Sequence, residues 1–229
     1  MASFRTHMAV AGGVSSAVAA VAYSLNGVEL QHSTAFALCG LFGGILPDID
    51  SDRSSAIRVI FTLFAAVMSL LVFGWYYDTL PLVLAGAAAA GTYLLIRYPV
   101  KYVFAKFTVH RGIFHSVLAS VLMGFVVAAV AYHVLFCDEI TAWFAGFFVF
   151  LGYNVHLLLD ELYSVDFSNN RLKKSFGTAF KLLSVQNPAT SLAVAVAAVV
   201  VYFVTPNAAE FTRLVFNSES YRLLAGLFS

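Results

Sequence analysis

Between Arg58 and Arg97 the chain carries a single charge, Asp78. On either side of it lie two apolar runs, Ala56 to Trp75 and Leu80 to Ile96, each close to the roughly 20 residues a helix needs to cross a bilayer. Backbone polar groups in hydrocarbon must find partners within their own segment, so such runs fold as helices. They also lack the alternating polar and apolar pattern of a membrane barrel strand. Five further stretches read the same way: Met8 to Leu25, Ser33 to Leu46 (near full length when counted from Val28), Ile113 to Phe136, Ile140 to Leu162 and Ala189 to Val204. Only 11% of the residues are charged, against about 25% in an average soluble domain. The sequence therefore predicts an all-α, polytopic transmembrane bundle of about seven spans, with residues 1–229 as one integral-membrane domain.

The basic residues orient it. Apart from Arg213 and Arg222, every Lys and Arg falls in one of four segments: Arg5; Arg53 and Arg58; Arg97 to Arg111; and Arg171 to Lys181. The intervening connectors, around Glu29, Asp78 and Asp138, have none. Short loops rich in Lys and Arg face the cytoplasm. Seven crossings with a cytoplasmic N-terminus satisfy that alternation, and they require the segment Ser33 to Leu46 to cross fully.

Two stretches outside the spans have amphipathic character. In 171–184, Leu172, Phe176, Ala179, Phe180 and Leu183 fall on one helical stripe with Lys173, Lys174 and Lys181 off it, the pattern of an interfacial helix on an anionic cytoplasmic leaflet. The tail, 207–229, mixes apolar residues with Glu210, Arg213, Glu219 and Arg222 and reads as a periplasmic interfacial segment.

Polar groups near hydrocarbon are costly unless they find partners or water. This chain concentrates them at one depth. In the topology above, His7, Asp48, Asp50, His110, His115, His156 and Asp160 all lie at the cytoplasmic ends of their spans. His156 and Asp160 are four apart and share a helical face. His110 and His115 are five apart, so His110 precedes the fifth span and His115 sits in its first turn. Asp48 and Asp50 follow Pro47, which helps end the second span. This mixed nitrogen and oxygen set suits zinc or manganese better than calcium or magnesium. Seven candidates exceed what one tetrahedral ion needs, so two divalent ions, or one ion plus a carboxylate base, are the economical readings. Arg111 has the planar fork that binds phosphate in a bidentate manner. Asp52 or Asp50 is placed to take a proton, and Ser116 to hydrogen-bond a substrate.

The runs Gly44-Ile45-Leu46-Pro47-Asp48-Ile49-Asp50-Ser51 and His110-Arg111-Gly112-Ile113-Phe114-His115-Ser116, followed by Gly152-Tyr153 with His156 and Asp160, resemble the YdjM family of metal-dependent hydrolases of the bacterial inner membrane. The likeness covers most of the chain in order, and His7 ahead of a glycine-containing first span also fits it. It implies a multi-pass protein of the bacterial inner (cytoplasmic) membrane with hydrolase activity. The expected reaction is hydrolysis of a phosphoester by metal-activated water, on a lipid or lipid-linked phosphate reached from the membrane surface. The alternative is a non-enzymatic metal-binding regulator or scaffold. A net charge of +1 offers no basic excess for nucleic acid. Cys39 and Cys137 form no CxxC-type pair, so no thiolate site is expected.

Overall fold

The computed structural model describes residues 3–24, 28–50, 55–107, 113–166, 171–172, 180–183 and 188–216. Each apolar run read from the sequence is helical among them. The helices are α1 (Phe4–Ser24), α2 (Leu30–Gly43), α3 (Ser55–Tyr76), α4 (Leu82–Leu95), α5 (Lys101–Phe107), α6 (Val117–His133), α7 (Glu139–Leu162), α8 (Pro188–Tyr202) and α9 (Ala209–Val215). Four helical stretches are long and apolar enough to cross a membrane: Phe4–Ser24, Ser55–Tyr76, Leu82–Lys106 and Glu139–Leu162. Val117–His133 and Pro188–Tyr202 are apolar but shorter. With 14 residues, α2 is shorter still, about 21 Å of helix against a hydrocarbon core of about 30 Å.

The chain divides into two compact units, Met1–Pro47 with Ile113–Ser229, and Asp48–Gly112. The smaller opens with a 3₁₀ turn, Pro47–Asp50, and is built on α3 and α4. Ser69 donates from α3 to the Ala89 carbonyl of α4 at 2.8 Å, a polar tie of the kind membrane helices use where burial of apolar surface gives no drive. Ile57, Phe61, Ala65 and Ile96 form its core. Outward, Leu63, Phe64, Val67, Leu70, Leu71 and Trp75 of α3 are all exposed, as a lipid-facing surface should be.

By composition the fourth span ends at Ile96 and Arg97 to Val109 is a connector. Instead, the helix continues through a π-turn, Ile96–Val100, into α5. Pro99 lies inside that turn. Proline has no N–H to donate and its ring crowds the preceding turn, and a widened π-type turn is a local adjustment that lets a helix carry one.

In the larger unit α7 packs against α1, α2, α6 and α9. Its N-terminal half closes on Phe36, which stacks on both Phe144 and Phe148 with ring centroids 5.5 Å apart. Nearer its C-terminal end the contacts tighten to backbone against backbone. A Cβ placed on Gly152 would lie 1.8 Å from the Gly40 carbonyl oxygen. Between membrane helices, where lipid is as apolar as leucine, close approach through small residues supplies the attraction. α7 begins at an N-cap: Asp138 accepts from the Thr141 N–H at 3.0 Å, filling one of the donors a helix start leaves over. Partial burial pulls the Asp138 carboxyl up, but hydrogen bonds from the Thr141 side chain and from nearby backbone N–H groups outweigh it, and the net shift is downward.

After α7, Val165–Asp166 and Arg171–Leu172 pair as two short antiparallel strands, β1 and β2. The interfacial helix expected over 171–184 is therefore not helical at its start, and Phe180–Leu183 is not helical either; 173–179 lie outside the described residues. The cause is tertiary. The Val117 and Leu118 N–H groups, left over at the start of α6, donate to the Lys181 and Leu182 carbonyls at 2.9 and 3.3 Å, and Phe180 N–H donates to the Glu161 carboxylate at 3.3 Å. These bonds hold the segment against α6 and α7. Of the expected tail segment, residues 209–215 form α9, whose Phe211 stacks on Trp143 at 5.8 Å; 217–229 lie outside the described residues.

Candidate metal centre

Two of the four residues that meet here come from α7. His156 and Asp160 lie one turn apart and are both fully buried. The third, His7, comes from α1, which starts at Phe4, so His7 stands in its first turn rather than ahead of it. His115 is the fourth. It was expected inside the first turn of the fifth span, but α6 starts at Val117 and Ser116 is its N-cap, so His115 precedes the helix. Exposure is 1% at His7 and zero at the other three.

The three imidazoles converge on one carboxylate. Nε2 of His7 is 3.2 Å from Oδ1 of Asp160, whereas Nε2 of His115 and of His156 lie 3.8 and 3.9 Å from Oδ2. Donor atoms about 2.1 Å from a tetrahedral zinc stand roughly 3.4 Å from one another. The observed separations bracket that value, so the cluster has the dimensions of an ion's coordination shell. His7, His156 and Asp160 form a group able to hold a metal ion.

The protons of His156 support the same reading. Its Nδ1 is 2.7 Å from the Gly44 carbonyl oxygen. A carbonyl can only accept, so Nδ1 carries the hydrogen. In the neutral ring Nε2 is then an acceptor, and it faces another acceptor, the Asp160 carboxylate. Either a proton or a metal ion between them satisfies both. A second ring nitrogen held by a backbone carbonyl is also the usual support of a metal-ligating histidine, fixing its tautomer and orientation.

Ring orientation separates the histidines. His115 stands edge-on to His156 at 73°, while His7 is stacked on it, 3.6 Å away and within 12° of parallel. His7 also approaches the other carboxylate oxygen, Oδ1.

Asp48 lies, half-buried, in the Pro47–Asp50 turn of the smaller unit, and Asp50 ends that turn. Asp52, His110 and Arg111 lie outside the described residues. Ser116 caps α6: its hydroxyl donates to the Ile113 carbonyl at 2.6 Å and accepts from the Ala119 N–H at 3.2 Å. Its one hydrogen is thereby taken, and a phosphate oxygen, which needs a donor, finds none there. Sequence reasoning missed the Gly44 carbonyl altogether. The one available signal was Gly152, a turn before His156, marking where another backbone comes close.

A family model described as YdjM inner membrane protein matches residues 1–209. The chain belongs to this family. The YdjM assignment and the helices long enough to span a bilayer place it in the inner membrane. No curated protein and no solved structure matches.

Proposed function

We propose that this YdjM-family protein is a membrane-embedded, metal-dependent hydrolase that cleaves a phosphoester of a lipid or lipid-linked substrate at the cytoplasmic face. The observation that carries the reading is the convergence of three buried imidazole Nε2 atoms on the Asp160 carboxylate. With nitrogen and oxygen donors together, the set favours zinc or manganese. A divalent ion bound there would acidify a water molecule and polarise a phosphoryl oxygen. The two oxygens of Asp160 face different histidines, and together with those histidines Asp160 would hold one or two ions.

The chain's own residues do the rest. His156 presents a fixed lone pair because Gly44 holds its other nitrogen. Arg111 grips the substrate phosphate in a bidentate manner, and Asp50 or Asp52 takes the proton as water oxygen bonds to phosphorus. That proton then goes to the leaving alkoxide as the ester bond breaks. In the topology proposed, seven crossings with the N-terminus inside, the cluster lies at the cytoplasmic membrane edge. A lipid headgroup reaches that edge by lateral diffusion.

Purified protein should contain about one to two equivalents of zinc or manganese and release phosphate or a phosphorylated headgroup from a panel of phospholipids and lipid phosphates. Metal content at background, unchanged in Asp160→Asn, would overturn the metal centre. Stoichiometric metal with no turnover on the panel would favour a metal-binding regulator or scaffold. Cysteine labelling tests the topology: Glu29→Cys, Asp78→Cys and Asp138→Cys should react with an impermeant reagent from the periplasm, and Ser51→Cys should not.

A further inference from the structure

His115 reaches the carboxylate from a segment with little regular structure of its own. It lies between a turn at Ile113–Phe114 and the cap of α6. His7 and His156, by contrast, are held by the helices that carry them. Something has to fix the backbone from which His115 extends.

Among the described residues, two side chains bond to carbonyls in that segment. Ser116 Oγ donates to Ile113, which closes the turn on itself without referring it to the rest of the centre. The second bond comes from α7: the Tyr153 hydroxyl donates to the Phe114 carbonyl at 2.5 Å. Tyr153 is fully buried and three residues before His156, on the same side of the helix. The Phe114 carbonyl belongs to the peptide unit whose nitrogen is His115's, and that unit is planar. Anchoring the oxygen therefore anchors the N-terminal side of His115.

We infer that Tyr153 is a positioning residue for the metal centre, acting through the Phe114 carbonyl to set His115 against the two ligands borne by its own helix. One turn of α7 then carries both a ligand, His156, and the clamp that places another. The inference rests on the metal-centre reading above. A buried phenol needs a hydrogen-bond partner in any case, so a purely structural role is the competing account, and the two differ in what Tyr153→Phe does.

The test uses the full-length protein in detergent, with zinc as probe. Tyr153→Phe keeps the ring and removes the hydroxyl. In the metal-free protein, hydrogen exchange across residues 113–118 should quicken, while exchange in the Asp138 to Phe148 half of α7 stays as in wild type. Zinc affinity, by chelator competition, should fall about 10- to 100-fold, the usual loss on removing a group that orients a ligand. In a His115→Ala background, Tyr153→Phe should add little further loss, because the residue it acts through is gone. The same penalty in both backgrounds, or unchanged exchange over 113–118, would overturn the inference. Failure of the underlying reading looks different: wild type itself would bind no zinc, and the exchange experiment would still decide whether the clamp exists.

Discussion

Replacing Gly152 with alanine tests the link between helix packing and the state of the centre. The added Cβ would lie 1.8 Å from the Gly40 oxygen, 2.7 Å from the Gly40 carbonyl carbon and 3.0 Å from the Gly44 nitrogen. All three are backbone atoms of α2 and its C-cap, so no side chain can swing away. Carbon and oxygen normally approach to about 3.3–3.6 Å, and α2 must therefore retreat from α7 by about 1.5 Å. Gly44 is carried with it, and its carbonyl now sits 2.7 Å from His156 Nδ1. A retreat of that size along the bond takes the pair to about 4 Å, beyond hydrogen-bonding range. His156 then loses the partner that fixes its tautomer and aims its Nε2.

Two magnitudes follow. Overpacking of a tight contact costs about 1–3 kcal/mol of stability, seen as a lower thermal midpoint in detergent. Loss of the ligand's outer hydrogen bond should weaken metal binding about 10- to 100-fold. Chelator competition with zinc measures the second separately from the first. Gly13→Ala is the control, since beyond the nearby backbone of its own helix no described atom lies within 4 Å of the place its Cβ would take; it should leave affinity unchanged and alter stability by less than about 1 kcal/mol. Wild-type zinc affinity in a folded Gly152→Ala protein would refute the claim that the close approach of α2 positions His156.

Other perturbations separate structural from chemical roles. Asp160→Asn, nearly isosteric, removes the carboxylate charge on which the three imidazoles converge, and bound metal by elemental analysis should fall to about a tenth of wild type or less. Ser116→Ala should lower stability by about 1 kcal/mol through loss of the α6 cap and leave KM for a phosphoester substrate unchanged; a raised KM at unchanged stability would return the hydroxyl to the substrate. Asp138→Ala should also destabilise by about 1 kcal/mol at neutral pH. Because the Asp138 carboxyl is shifted downward in the folded protein, its contribution is complete above the unfolded value near 4 and is lost as pH falls through the lower folded value. The difference in thermal midpoint between wild type and Asp138→Ala should therefore narrow as the pH is lowered below the unfolded value of about 4.

Sequence is most informative where one element holds the whole signal. His156 and Asp160 are legible as a pair because helical spacing alone puts them on one face, and the long spans are legible because hydrocarbon leaves the backbone no other form. His7 and His115 are legible only as residues at a common depth, through the distribution of Lys and Arg. Their meeting on one carboxylate depends on how α1, α6 and α7 pack, which composition does not specify. Ser116 is ambiguous in the sequence because a serine before an apolar run serves equally as helix cap or as substrate ligand; in the structure it caps α6 and its hydroxyl donates to Ile113. The segment 171–184 has a helical stripe, but its partners, the Val117 and Leu118 N–H groups, are far away in sequence and hold its described end, Phe180–Leu183, in a non-helical path. The Gly44 carbonyl gives no signal of its own, since every residue has one; Gly152 marks only that another backbone comes close.

The way the centre is buried also bears on what it is for. A carboxylate shut away from solvent is destabilising unless its charge is met, and one protonated imidazole beside it would meet that charge. Here three rings are brought to it, from α1, from the segment before α6, and from α7 itself. A proton serves a single line between nitrogen and oxygen. The cluster has three such lines, at 3.2, 3.8 and 3.9 Å, and on the His156 line the nitrogen's hydrogen is already committed on the far side of the ring, to Gly44. Protons could satisfy the lines only by charging several adjacent rings, His7 and His156 stacked face to face among them, and like charges in a low-dielectric pocket repel strongly. A divalent cation meets the carboxylate and more than one neutral ring at once. Among the described residues, the imidazoles that converge on Asp160 outnumber what its single charge requires, which suits a group able to hold a metal ion better than a lone ion pair.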